Sequence, residues 1–404
     1  MSSITERENV LLSLLGYEMF QQKLQIDAVV VDWMSVLDEG TRHAVTSLLY
    51  PGMRQTAEVP ETVLAKARGA AIAAAEASEH MLNSQRAVLT LLQERDIPCA
   101  VLKGTSIALH YPHPELRIPG DIDLLVERER IQETCIALEE DGFAPALADA
   151  RHRCFQKQEL WVEVHPMVSL FPDSEKGIFT KEFMLGALQH VQTVKIAGIS
   201  FPMLTGMYQI ISLLSHMERH FSAAGIGLRQ LCDWAITVHA HREEIGEAEL
   251  ALLDRCGLQY FAKIATRVCE KYLGLPPCEW SADAPDATVD ALMYDILVSG
   301  NFQSQNQRPF WGILTWGVQA DSDKVANSTK SSTLRSYSRY IRRRIQYDFP
   351  WAKSRLWIAF FGLFYPFRWI VLRLLGKRKK VNLSRAIRYA RRREKLLREL
   401  KLYK

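Results

Sequence analysis

Two aspartates, one residue apart, lie in an apolar segment of this 404-residue chain. Asp121 and Asp123 belong to the stretch GDIDLLV at residues 120–126. Successive side chains of a strand alternate between faces, so both carboxylates point to one side while Ile122 and Leu124 point into a core. Like charges at this spacing repel, and either a bound cation or a shared proton relieves the repulsion. We take the simpler alternative and predict a divalent cation site.

A turn ahead of the aspartates has the composition of an anion site. Lys103, Gly104, Thr105 and Ser106 follow a short apolar segment, and a helix is predicted from Thr105 to Tyr111. Such a turn places hydroxyls and backbone N–H groups at a helix start, where they attract anions. The ammonium of Lys103 would add charge that neutralises a phosphate.

A further carboxylate, Glu163, lies in a later segment with the pattern of a strand. The segment Leu160–Val164 has the apolar pattern of a strand, and Glu163 and His165 share one of its faces by the period of two. A carboxylate there can accept a proton from a hydroxyl, and His165 can either reach the same substrate or hold Glu163.

Arg117 lies between the turn and the aspartates and has two interpretations. Its guanidinium can bind phosphate in a bidentate manner. The alternative is a salt bridge with Glu115 or Asp121.

These motifs together resemble a known superfamily. Lys-Gly at 103–104, Gly-Asp-Ile-Asp-Leu-Leu-Val at 120–126 and Val-Glu-Val-His at 162–165 look like the nucleotidyltransferases of the DNA polymerase β type. They are most similar to the bacterial branch described as uncharacterised nucleotidyltransferases. The resemblance covers roughly residues 85–234.

The resemblance implies both a reaction and a site. The reaction is Mg²⁺-dependent (or Mn²⁺-dependent) transfer of a nucleoside monophosphate from an NTP such as ATP to a hydroxyl of a small molecule, protein or RNA, with release of pyrophosphate. The implied catalytic and metal-binding residues are Asp121, Asp123 and Glu163, and the implied nucleotide-binding residues are Lys103, Gly104, Thr105, Ser106, Arg117 and His165.

One alternative is a binding or scaffold protein that keeps this fold with an idle site. Lys103-Gly104 stands where many members have Gly-Gly or Gly-Ser, and the spacing from the turn to Asp121 is long. However, a cluster of unused buried acids would only cost stability.

The fold class expected is α+β, a polymerase β-like core of a small mixed sheet with helices, flanked by helical regions. The periodicity divides the chain into an N-terminal helical region, the catalytic core, a helical domain that closes the cleft, and a basic aromatic-rich tail. These four regions span residues 1–97, 98–203, 204–333 and 334–404.

The charge of the chain is strongly asymmetric. Residues 331–404 hold 22 Lys and Arg against three acidic residues, although the whole chain carries a net charge of only +4. Aromatic residues alternate with Arg in Trp351–Leu375, which predicts either an element on an anionic membrane surface or a packed apolar helix. The basic segment Ser384–Lys404 predicts either RNA binding or a solvated helix face.

The expected location is the cytoplasm, with peripheral attachment to the inner membrane surface as an extension. The seven cysteines are scattered without a CxxC pair, which is typical of a reducing compartment, and the polar N-terminus does not resemble a signal peptide.

Overall fold

The computed structural model describes residues 4–26, 31–148, 152–223, 225–300 and 383–403, together with Trp357, Phe360 and Phe364. These residues form 13 α-helices and one seven-stranded mixed sheet, as expected for a nucleotidyltransferase-like core flanked by helices. The helices are α1 Glu6–Phe20, α2 Trp33–His43, α3 Thr46–Arg54, α4 Glu61–Gln93, α5 Thr105–Ala108, α6 Ile131–Glu140, α7 Glu175–Met184, α8 Gly206–Ala223, α9 Leu228–Ala240, α10 Glu247–Arg255, α11 Gln259–Leu273, α12 Asp286–Ser299 and α13 Leu383–Glu399. The strands are β1 Cys99–Val101, β2 Ile122–Val126, β3 Ala144–Ala148, β4 Arg153–Lys157, β5 Leu160–His165, β6 Val191–Ile196 and β7 Ile199–Leu204.

The N-terminal helices begin where the sequence provides caps. Thr5 and Glu8 form a capping box on α1, in which Thr5 N–H donates to Glu8 Oε2 at 2.7 Å and Glu8 N–H donates to Thr5 Oγ1 at 3.3 Å. The long helix α4 begins directly after Pro60, as predicted. The prediction of a helical N-terminal region is confirmed for these elements, while the exact division of the chain into four regions stays a prediction.

The pair Pro51-Gly52 in the sequence predicts a break between helices. That prediction is wrong, because Pro51 lies inside α3. A proline there removes one backbone N–H bond, to the carbonyl four residues earlier. The helix is only nine residues long and buries Leu48, Leu49 and Met53. We attribute the survival of α3 to this apolar burial, which offsets the loss of one hydrogen bond.

The sheet has the strand order β3-β4-β5-β2-β1-β7-β6. Strand β2 is parallel to β5 and antiparallel to β1, and β1 is parallel to β7. The two edges are antiparallel, with β3 and β4 on one side and the β6–β7 hairpin on the other. The central strand β2 is buried at every position, so its Asp123 lies in the middle of the sheet.

Most of the strands agree with the sequence pattern. The hairpin predicted for residues 191–201 is present, and Gly198 at its turn has a φ of +79°. Strand β3 was not predicted, because APALA contains Ala and Pro rather than β-branched residues. It pairs with β4 as an edge strand, a position where proline is tolerated.

Two apolar cores meet along α4. The first half of α4 contributes Val63 and Ala67 to a core made mainly of helices. Its second half contributes Val88 and Leu92 to a core formed by the sheet and α6. Because one continuous helix belongs to both cores, it links the sheet to the helical part of the molecule.

The C-terminal helix α13 packs on the body of the protein. Its Arg393 donates to Asp295 of α12 and to the Phe221 carbonyl of α8. The spacing of the leucines in residues 384–404 predicts one apolar side for a basic helix, and Leu396 and Leu400 are buried there. The basic residues of α13 that face solvent include Arg391, Arg392, Lys395 and Arg398.

The predicted membrane-surface element Trp351–Leu375 lies outside the described residues, apart from Trp357, Phe360 and Phe364, which are exposed. Within the part of the chain that the structure describes, each helix is too short or too polar to cross a bilayer.

Candidate active site

Three carboxylates meet on one face of the sheet. Asp123 on β2 is directly opposite Glu163 on the parallel strand β5, and Asp121 precedes β2 on the same side. One carboxylate oxygen from each of the three lies within 4.8 Å of the others. Asp123 is buried, Glu163 is partly buried and Asp121 is exposed, so the cluster opens to solvent at Asp121. The structure therefore brings together the three residues that the sequence predicts.

Two basic side chains contact the buried carboxylate of Asp123. Lys103 Nζ and His165 Nε2 each lie 2.8 Å from Asp123 Oδ1. His165 Nε2 also lies 3.3 Å from Glu163 Oε2, so it bridges the two carboxylates. Of the two predicted roles for His165, holding Glu163 is the one whose contact is present.

The pKa values show how crowded the cluster is. The negative charge of Asp123 raises the pKa of Asp121 to about 6, and the protein atoms packed around this carboxyl group add to the increase although the residue as a whole is exposed. Burial also raises the pKa of Asp123, but Lys103 and His165 outweigh it and hold that pKa below its ordinary value. Burial lowers the pKa of His165, while its hydrogen bonds to Asp123 and Glu163 raise it, with a net increase.

The predicted anion turn is present beside the aspartates. Gly104 has a φ of +68°, and a Cβ at this position would lie 3.6 Å from the Asp121 carbonyl oxygen. Thr105 Oγ1 donates to Gln85 Oε1 of α4 at 2.6 Å, and Ser106 Oγ donates to the Leu102 carbonyl at 3.0 Å. Each hydroxyl thus donates its proton within the protein. Their predicted contact with a nucleotide stays a prediction.

Arg117 is buried and pairs with Asp233, although the charge of Asp121 is also close enough to raise its pKa. Its Nε and Nη2 lie 2.7 Å and 2.9 Å from the two oxygens of Asp233 on α9. Tyr111 OH also donates to Asp233 Oδ1, at 2.8 Å. The salt-bridge partner of Arg117 is therefore Asp233, and not Glu115 or Asp121 as predicted. The packing of α9 against this loop brings Asp233 close, and local sequence patterns do not reveal such packing. The nucleotide contact predicted for Arg117 stays a prediction.

Helices α8 and α9 bring further basic side chains near the cluster. His216 on α8 has its pKa lowered well below the ordinary value, first by burial and then by the charge of Lys103. Arg219 Nη2 lies 3.3 Å from His216 Nδ1 and 3.2 Å from His220 Nε2. On α9, Arg229 is close enough to Asp121 for the aspartate's charge to raise its pKa, although burial gives a net decrease.

His152 is a site neighbour that sequence reasoning missed. It precedes β4, and its Nε2 lies 3.5 Å from Glu163 Oε1. Pairing of β4 with β5 as an antiparallel hairpin could have revealed His152. In such a hairpin the residue before β4 lies close to the end of β5.

Comparison with known families agrees with this geometry. A family model described as "Uncharacterised nucleotidyltransferase" matches residues 30–274, which is more than half of the chain. The chain belongs to this family. No curated protein and no solved structure matches it significantly.

The nucleotidyltransferase match extends beyond the sheet on both sides. It begins before α2 and ends at Gly274, just after α11, so most of the flanking helices belong to the family region. The helix α13 lies outside it.

The carboxylate cluster fits a divalent cation. Three carboxylates on one sheet face provide the oxygen donors that hard divalent cations prefer. The crowding that raises the pKa of Asp121 is relieved when positive charge lies between the carboxylates.

Proposed function

We propose that this chain is a Mg²⁺-dependent (or Mn²⁺-dependent) nucleotidyltransferase that moves a nucleoside monophosphate from an NTP, with ATP as the first candidate, to an acceptor hydroxyl. The observation that carries the proposal is the grouping of Asp121, Asp123 and Glu163 within 4.8 Å in a chain of this family. The acceptor class is a small molecule, a protein or an RNA.

The reaction forms one bond and breaks one bond. The acceptor oxygen bonds to the α-phosphorus, the bond between that phosphorus and the bridging oxygen to the β-phosphorus breaks, and pyrophosphate leaves. Asp121, Asp123 and Glu163 would hold a divalent ion, which would supply positive charge for the attacking and leaving oxygens. Glu163, with its side chain 23% exposed, accepts the hydroxyl proton and passes it to solvent.

The phosphate chain binds on the Lys103 side of the cluster. Lys103 contacts Asp123, and it would be free to bind a phosphate oxygen if a cation balanced the charge of the aspartate. The turn at Gly104 places backbone N–H groups of Thr105 and Ser106 at the start of α5, where they have no acceptor within the helix. Arg117 supports this arrangement by fixing the preceding loop to Asp233.

The test is a transfer assay with labelled NTP and pyrophosphate detection. We expect Asp121→Asn and Asp123→Asn each to abolish metal-dependent transfer while thermal unfolding stays cooperative. Transfer that persists in both folded variants would contradict the proposal.

A second candidate function is a binding protein with an idle site. The observation in its favour is that Lys103 already neutralises Asp123, so a resting cluster of this kind is stable without a cation. Metal-dependent NTP turnover by the purified chain rules out this alternative. NTP binding without turnover over a panel of acceptors supports it.

For the tail we propose attachment to an anionic membrane surface. The support is the alternation of aromatic residues with Arg in Trp351–Leu375 and the basic run Lys377–Lys380. Sedimentation with phosphatidylglycerol vesicles should be lost when the four residues of that run are changed to Gln. Binding to RNA instead of vesicles would favour the alternative partner, and binding to neither would favour a tail packed on the body.

A further inference from the structure

A second group of metal-ligand side chains adjoins the carboxylate cluster. His152, Glu163 and His165 each offer one donor atom, and these atoms all lie within 4.8 Å of one another. The backbone explains the grouping: β4 and β5 are antiparallel with Arg153 opposite Val164, which places His152 opposite His165 one step further along. The three side chains thus come from the two strands of one hairpin.

The distances suit a single ion. His152 Nε2 lies 3.5 Å from Glu163 Oε1, and His165 Nε2 lies 3.3 Å from Glu163 Oε2. Two ligands that each lie about 2.1 Å from one ion are about 3 to 4 Å apart. Small side-chain rotations are therefore enough to bring two imidazole nitrogens and a carboxylate oxygen onto one cation.

The chemistry of this donor set differs from that of the aspartates. Mg²⁺ strongly prefers oxygen ligands, whereas imidazole nitrogen favours first-row transition metals such as zinc. Asp121 and Asp123 offer only oxygens, while the hairpin offers two nitrogens and one oxygen. Glu163 belongs to both groups, so one carboxylate can bridge two different ions.

We infer that the site holds two unlike cations, with Mg²⁺ (or Mn²⁺) on Asp121 and Asp123 and a borderline transition-metal ion of the Zn²⁺ or Co²⁺ class on His152, His165 and Glu163. The inference rests on the proposed function only in taking the two aspartates as the magnesium side. The nitrogen-bound ion lies on the Glu163 side, where the acceptor hydroxyl is placed.

The test measures metal binding without nucleotide, so it does not depend on activity. Full-length protein is titrated with Co²⁺, a coloured substitute for Zn²⁺, and with Zn²⁺ by calorimetry, both in chelator-free buffer. We expect one Co²⁺ per chain with visible absorption bands. The double substitution His152→Gln/His165→Gln should weaken its binding by about 100-fold or more, since loss of even an outer partner of a metal ligand costs 10- to 100-fold.

The chain provides two matched controls. His216 and His220 lie four apart on α8, a spacing that can bind zinc, and their ring centroids are 4.2 Å apart. His216→Gln/His220→Gln should leave Co²⁺ binding unchanged, as should the exposed His80→Gln. The single variant His152→Gln, which alters a position ahead of β4, covers the case in which the double variant unfolds.

The outcomes separate this inference from the proposed function. Loss of Co²⁺ binding only in the hairpin variants supports the inference. Three results would overturn the inference, even when Mg²⁺-dependent NTP binding is present. They are loss of Co²⁺ binding in the α8 variant, unchanged Co²⁺ binding in the hairpin variants, and no binding of Co²⁺ or Zn²⁺ by the wild type. Conversely, Asp121→Asn should lose Mg²⁺-dependent NTP binding and keep its Co²⁺ site.

Discussion

Asp233 and Asp123 are both buried aspartates, but they are held in different ways. Asp233 faces one guanidinium, which contacts both of its oxygens, and one tyrosine hydroxyl. Asp123 has two basic neighbours, Lys103 and His165, and two further carboxylates beside it. The first is a closed, buried bidentate pair with Arg229 of the same helix close enough to interact with both charges, and the second is a crowded cluster that opens to solvent.

This difference separates a structural ion pair from a candidate active site. A closed bidentate pair fixes the loop at Arg117 to α9, and removing one partner leaves a buried charge. In the open cluster the repulsion of Asp123 raises the pKa of Asp121 to about 6, so the free protein retains repulsion that a cation would relieve. The two clusters should respond to substitution in opposite ways.

The largest effect should come from Asp123→Asn. We expect nucleotidyl transfer to fall by about 1000-fold or more, because the charge that holds the cation is lost, which corresponds to about 4 kcal/mol. The free energy of unfolding should change little, because other carboxylates remain close to Lys103 after the substitution. Transfer rates and urea unfolding check this, with the exposed Asp173→Asn as the control. A variant that is severely destabilised would contradict the distinction between the two clusters.

The next effect concerns the closed pair. Arg117→Met leaves Asp233 buried without its cation, and we expect the free energy of unfolding to fall by about 3 to 5 kcal/mol. Urea unfolding measures this loss, and Arg128→Met on the surface is the matched control. A stable Arg117→Met protein that has lost NTP binding would instead support the phosphate contact predicted from the sequence.

A third buried carboxylate extends the comparison. Glu18 on α1 is buried, and neither of its oxygens has a hydrogen-bond partner among the described residues. Burial, with a contribution from Glu115, raises the pKa of Glu18 to about 8. The unfolded chain has the ordinary lower pKa, so the stability from protonated Glu18 is complete below about pH 4.5 and is lost as the pH rises through 8.

The substitution Glu18→Gln should remove the loss of stability that the wild type shows as the pH rises. We expect the variant to be more stable than the wild type at pH 9 by on the order of 2 kcal/mol, and the difference should shrink toward pH 5. Unfolding curves across this range test it, with the exposed Glu6→Gln on the same helix as the control. Parallel curves for wild type and variant would show that Glu18 ionises normally.

The smallest effect is expected at the turn beside the open cluster. Gly104→Ala places a Cβ on a residue with a φ of +68°, which costs about 1 kcal/mol. NTP affinity should fall together with stability, because the turn carries the backbone N–H groups. Gly69→Ala in α4, where an added Cβ meets no atom within 4 Å, is the control and should not weaken binding.

The sequence predicts the parts of the site that depend on local order. Alternation within a strand places Asp121 and Asp123 on one face, and the same rule places Glu163 and His165 together. The contacts that join distant segments are not visible in such patterns. Arg117 finds Asp233 through the packing of α9, which lies more than a hundred residues away.

Two further misses have equally physical causes. His152 joins the site only because β4 and β5 pair in one register, and the register of a hairpin is set by its turn and the core together. Pro51 stays helical because tertiary burial of α3 outweighs a local rule. Elements set by periodicity were therefore predictable, whereas partners set by packing were not.

The most direct test of whether the carboxylate cluster binds a metal and a nucleotide is calorimetric titration with each of the four NTPs. It is done with and without Mg²⁺, on the wild type and on Asp121→Asn/Asp123→Asn. We predict that at least one NTP binds to the wild type, that this binding requires Mg²⁺, and that it is lost in the folded double variant. Equal binding by both proteins, or none by a folded wild type with or without Mg²⁺, would contradict the claim that the open carboxylate cluster is a metal–nucleotide site.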